Sequence, residues 1–161
     1  MLKFRFWPGE AVIVQSYQGH GSPEQLRRFY EMIAQEPEFD GLCDMLIDLR
    51  GLTSTSWSAQ DVLKASMRLN IRPAPRRRLR YAMIAPGELA LGMANMFAGF
   101  AGVIEGMQAR SFVGAPEATA WLGLQQAPDH YLDTTGLIPV DIPDPAQPCA
   151  PAAVAGGASH P

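Results

Sequence analysis

The chain has 161 residues, 47% of them apolar and 18% charged, with a formal net charge of −3. That is enough apolar matter for one domain with a real core, and too few charges for a wholly disordered chain. Near-neutral charge speaks against a nucleic-acid surface, two cysteines are too few for a disulfide framework, and the three histidines, His20, His130 and His160, show no ligand spacing, so neither a metal nor a cofactor is expected.

The opening "LKFRFW-PG-EAVIVQSY" reads as two strands joined at Pro8-Gly9, where Pro presets the first angle of a type II turn and Gly supplies the positive one. Its N-terminal "MLKFRFWPGE" has no long apolar run, and a cytoplasmic location is the expectation. In "GHGSPEQLRRFYEMIAQEP", Ser22 is the natural N-cap, Pro23 fits the first helical position and Gln25 completes a capping box. Leu26, Phe29, Tyr30 and Ile33 then share one helical face, and Pro37 stops the helix.

"CDMLIDLRG" is a short apolar run suited to a strand buried on both faces. A loop of hydroxyls follows, and a second helix over roughly 58–71 starts at Ser58, with Asp61 three residues on as its capping-box partner. "LRYAMIAP" reads as the next buried strand, "GELALGMANMFAGFAGVIEGM" as a long apolar helix over 87–106, "ARSFVGA" as a last strand and "APEATAWLGLQ" as a closing helix. The order β-β-α-β-α-β-α-β-α implies an α/β fold: a mixed, mostly parallel five-stranded sheet flanked by four helices, with right-handed crossovers and one antiparallel strand from the opening hairpin.

The domain is expected to span 1–125. Residues 126–161 hold four acids, no Lys or Arg, and a Pro/Ala/Gly-rich end, and read as a mostly disordered acidic tail. Within it "GLIPVDIP" is an exception, since Leu137, Val140 and Ile142 are placed to dock on the body.

The element order, "LIDLRG" before the second helix, "YAMIAP" before the third and "SFVGAPEATAWL" at the end resemble the STAS superfamily, above all its small stand-alone SpoIIAA-like bacterial members, over about residues 3–124. The resemblance implies the anti-sigma-factor-antagonist fold and regulation by protein binding without catalysis. Relatives carry an Asp-Ser-Ser-Gly-like phosphorylation motif where the second helix begins. In "GLTSTSWSAQD" only Ser58 stands near the phosphorylated position: the Asp is missing, Ala59 replaces the Gly, and Trp57 stands where a small residue is usual.

Several features carry chemistry, each with a plainer reading beside it. Asp48 closes a strand where open α/β sheets bind ligands, and Thr53, Ser54, Thr55, Ser56 and Trp57 follow it; the group either binds a ligand or only caps and turns the chain. In the third helix Met93, Met96, Phe97 and Phe100 offer an apolar face or pocket wall. Beside them Gly92, Asn95, Gly99 and Gly102 form a stripe of small residues, which suggests close approach of a partner helix, the sheet, an apolar ligand or lipid. The apolar run from Leu89 to Ile104 is short for a stable membrane span. Arg76, Arg77 and Arg78 are anion candidates, or a solvated loop that attracts the acidic tail. No nucleophile–base constellation is visible, and the expected role is a non-enzymatic regulatory or interaction module with a protein partner or a second copy of itself. The alternative is a small-molecule or lipid-binding protein with an apolar pocket beside the helix at 87–106.

Overall fold

The computed structural model describes residues 1–39, 43–58, 60–61, 64, 79–102 and 106–142. Six strands form one sheet: β1 (Leu2–Trp7), β2 (Val12–Gly21), β3 (Asp44–Thr55), β4 (Leu79–Ile84), β5 (Met107–Phe112) and β6 (Ile138–Pro139), in the order β5-β4-β3-β2-β1-β6. The pairs β2–β3, β3–β4 and β4–β5 are parallel, while β1 pairs antiparallel with both β2 and β6. The helices among the described residues are α1 (Pro23–Ile33), α2 (Glu88–Ala101), α3 (Ala115–Leu122) and α4 (Pro128–Leu132). The helix expected over 58–71 lies mostly outside the described residues.

Alternation along the strands builds a core on each face. Ile13, Met45, Ile47, Tyr81 and Met83 face α1 and α2, where they meet Leu26, Phe29, Ile33, Ala90 and Ala94. Val12, Val14, Leu46, Ala82 and Ile84 face the other way, onto Ala115, Ala118, Leu122, Tyr131 and Leu132. Helix α1 starts as its sequence dictates: the Ser22 hydroxyl accepts from the Gln25 amide and the Gln25 side chain accepts from the Ser22 amide.

Three expectations are corrected. The link between β1 and β2 is a 3-10 turn at Pro8–Glu10 instead of a type II turn, and the positive φ of 49° falls on Ala11, not on Gly9. The stretch 50–55 is strand instead of loop: Gln18–Gly21 and Gly51–Thr55 continue the parallel pairing of β2 and β3 as a ribbon beyond the sheet. Two shifts of register in that ribbon, at Ser16/Gln18 and Gly19/His20, let the paired backbones carry on past Asp48.

The third concerns the boundary at 125, since the body continues to at least Val140. Tyr131 and Leu132 of α4 are buried against the sheet, Leu137 and Val140 are buried, and Ile138–Pro139 adds the sixth strand. Trp7 holds this segment in place: its ring packs on His130 and Tyr131, and the Arg5 guanidinium lies 4.2 Å from the Trp7 ring centroid. The Tyr131 hydroxyl donates to Glu10 at 2.6 Å and accepts from the Gln126 amide at 3.1 Å. The composition of 126–161 hides this because the few apolar side chains that dock are spread among exposed polar ones. Ile142, expected to dock with Leu137 and Val140, is 42% exposed.

Candidate functional site

Between α1, α2 and the sheet lies a cavity built from the strand positions that share one face. Gln15 and Tyr17 of β2, Met45, Ile47 and Leu49 of β3, and Met83 of β4 form its floor. Leu26 and Tyr30 of α1 form one wall and Met93 and Phe97 of α2 the other. The ribbon closes one end with Leu52 and Thr55, followed by Trp57. It measures about 40 Å³ as the space open to the centre of a water-sized sphere, within about 540 Å³ of atom-free space that includes its open mouth. The enclosed part is therefore narrow, but three thioethers line it, and unbranched methionines yield to an incoming group more readily than branched side chains do.

Two side chains with polar groups are fully buried in the floor of this apolar surface. Gln15 and Tyr17 are each 2% exposed, and both belong to the strand face that carries Ile13. The Tyr17 hydroxyl donates to Gln15 Oε1 at 3.4 Å, and Gln15 Nε2 donates to the Met45 sulfur at 3.7 Å. Burial pushes the Tyr17 phenol well above its ordinary pKa, with the neighbouring Tyr30 adding to the shift. The Trp57 indole N–H is also buried and meets no acceptor among the described residues.

Leu26, Tyr30 and Trp57 also border a shallower groove with a charged rim of Glu24, Arg27, Asp61 and Lys64. Arg27 pairs with Glu24 and Glu31, and that hydrogen bonding holds the Glu24 carboxyl below its usual range. Asp61 is likewise held low, by the Ser58 hydroxyl and amide.

The residues expected in one loop divide between different surroundings. Asp48 is buried, but its place in the alternation sets it on the face of Leu46, away from the cavity, and it is already engaged. It accepts from the Arg50 amide at 3.0 Å and from the Arg50 guanidinium at 2.9 and 3.0 Å. Thr53 is exposed. Ser54 and Ser56 flank the exposed ring of the β2 residue His20 at 2.9 and 3.3 Å. Only Thr55 and Trp57 reach the cavity. Ser58 serves as a cap: its hydroxyl donates to Asp61 at 2.6 Å and accepts from the Asp61 amide at 3.2 Å. A phosphate there would set a dianion against that carboxylate.

On α2, Met93 and Phe97 line the cavity as expected; Met96 and Phe100 are half-buried and do not. The residues that seat α2 on the sheet are Ala90, Ala94 and Ala101. Gly92, Asn95, Gly99 and Gly102 are exposed. No described side chain or neighbouring element comes within 4 Å of where a Cβ at Gly92 or Gly99 would stand, and Gly102 meets only carbonyls of its own helix. The small-residue stripe is thus the outer face of α2, not its packing face against the described residues of this chain. Arg76, Arg77 and Arg78 lie outside the described residues.

Sequence reasoning missed the cavity floor, although a signal was present. In "VIVQSY" the polar Gln15 falls in phase with Ile13 and Tyr17, on a strand face otherwise apolar. Among the described residues no three His, Cys, Asp or Glu side chains are grouped to hold a metal ion, and no helix is long and apolar enough to cross a membrane.

The architecture defines the chain as an α/β protein whose mixed, mostly parallel sheet carries helices on both faces. No protein-family model matches it, and neither does any curated protein. Among solved structures it is similar to an uncharacterized protein of the DUF3478 family from Shewanella loihica PV-4, described as having a SpoIIAA-like fold. The two share 22% identity, the match covers 69% of this chain and 83% of that one, and the TM-score is 0.45.

Proposed function

We propose that the protein is a non-enzymatic binding module that takes a small apolar molecule into the cavity between α1, α2 and the sheet. The observation that carries this reading is the lining: three methionines and four aromatic rings surround a recess that opens to solvent. Binding pockets for small molecules combine such an apolar surface with a few polar groups that fix orientation. Nucleophile, base and metal play no part in this reading.

Native mass spectrometry of the purified protein, alongside titration with toluene followed by backbone amide shifts, tests it. Toluene should move resonances of Leu52, Trp57, Met83 and Phe97 in a saturable way, and Met93→Trp, which projects bulk into the recess from a half-exposed position, should abolish the response. No co-purified mass and no saturable shift would sink the proposal.

A second reading draws on a different observation. Leu89 and Leu91 are 40% and 43% exposed, next to the open stripe of Gly92, Asn95 and Gly99. Regulation through a protein partner or a second copy, as the STAS resemblance implies, would use this outer face of α2. Size-exclusion chromatography with light scattering, comparing the wild-type chain with Leu91→Glu, tests self-association there. A concentration-independent monomer in both would remove the dimer.

A further inference from the structure

We infer that the molecule taken into this cavity is a single aromatic ring bearing one hydrogen-bonding group, a phenol or an aryl carbonyl, with that group on the Gln15 carboxamide. The inference rests on the small-molecule reading of the cavity and adds the chemistry of the occupant.

A carboxamide offers two N–H donors and two acceptor lone pairs. Gln15 is 98% buried by its 2% exposure, yet its contacts are weak ones: a sulfur at 3.7 Å from Nε2 and a phenol at 3.4 Å from Oε1. Among the described residues these two bonds leave a second N–H and an acceptor position of the carboxamide without a partner, at the floor of an apolar recess. Burying an amide in this condition is costly, and Leu or Met would fill the position without that cost. Tyr17 doubles the feature, because its hydroxyl donates to Gln15 and retains lone pairs of its own. Two adjacent polar groups, both buried and both turned to the same recess, form an orienting handle.

The walls set the rest of the occupant. Tyr17, Tyr30, Trp57 and Phe97 present ring faces and edges, and Met45, Met83 and Met93 present thioethers, which contact aromatic edges favourably. The recess offers about 40 Å³ at rest, less than the roughly 150 Å³ of an apolar cavity that holds benzene, so a single ring enters only as the methionines yield and a long acyl chain does not fit inside.

Toluene and phenol are the probes, of nearly equal shape and different only in the polar group. Their dissociation constants are measured by amide shift titration on the wild-type chain, Gln15→Leu and Tyr17→Phe. The preference for phenol relative to toluene should fall about tenfold in Gln15→Leu, the scale of one hydrogen bond lost from a buried site. A smaller fall is expected in Tyr17→Phe. Toluene affinity should be held or improved in both variants. In the wild-type chain the Gln15 side-chain NH2 resonances should shift clearly farther with phenol than with toluene, whose ring current alone moves them, a readout that does not depend on either variant folding. A phenol-to-toluene ratio unchanged in the variants, or Gln15 resonances that phenol moves no farther than toluene does, overturns the inference while leaving an apolar pocket intact. Binding of neither probe overturns both.

Discussion

Asp44 and Arg80 stand side by side on β3 and β4, and the carboxylate of one accepts three hydrogen bonds from the other: the Arg80 amide at 2.9 Å, Nε at 3.1 Å and a terminal nitrogen at 2.7 Å. The same guanidinium donates to the carbonyls of Trp121 and Leu122 at 2.9 and 2.7 Å. These are carbonyls at the end of α3 that the helix itself leaves unpaired. One side chain thus ties two strands to the helix that covers them. Arg80→Lys keeps the charge and loses the planar fork, so it should destabilise the fold by about 2 kcal/mol. Urea unfolding measures this, and a loss below about 0.5 kcal/mol, the scale of an exposed pair, would contradict it.

The segment after residue 125 is part of the core, and two changes measure its weight. Tyr131→Phe removes the bonds to Glu10 and to the Gln126 amide but keeps the buried ring, for an expected loss of about 1–2 kcal/mol. Ending the chain at 125 uncovers Trp7, Val12 and Val14, and should lower the melting temperature well beyond the point change. A shortened chain that melts with the full one would refute the docking of α4 and β6.

The glycines of α2 give a test with two informative signs. Gly92 and Gly99 have ordinary helical backbone and open space around them. Alanine at either should therefore stabilise the free protein, by up to about 1 kcal/mol each. If a partner's backbone uses this face, the same substitutions weaken association while raising the melting temperature. Calorimetry with light scattering reads both. Destabilisation of the free protein would mean that the stripe is packed after all.

Tyrosines set the alkaline limit. Burial pushes Tyr17 and Tyr81 well above the ordinary value of 10.0, and burial with the bond to Glu10 raises Tyr131. A group whose folded pKa is raised contributes its full stability below the unfolded value, and that contribution is lost as pH rises toward the folded one. Stability should thus hold up to about pH 10 and fall above it. Tyrosinate absorbance at these positions should appear together with the loss of circular dichroism. Full ionisation of all four tyrosines in a chain that stays folded would contradict the burial of the phenols.

Local chemistry made much of the framework legible in the chain itself. Ser22, Pro23 and Gln25 specify the start of α1 by satisfying its first amides, Ser58 and Asp61 exchange the capping bonds their spacing predicts, and apolar runs such as "YAMIAP" specify strands covered on both faces. These signals act within a few residues, so no knowledge of distant segments is needed to read them. What lies beyond that range belongs to the tertiary structure. It turned "GLTST" from a loop into a strand through pairing with Gln18–Gly21, gave Asp48 to Arg50 instead of to a ligand, and faced the glycine stripe of α2 outward by seating Ala90, Ala94 and Ala101 on the sheet. It also gathered Gln15, Met45, Met83 and Phe97, far apart in the chain, around one recess. A strand's alternation says that two residues share a face. Which helix lies over that face, and whether it fills the space beneath it, depends on packing among side chains that only the folded chain brings together.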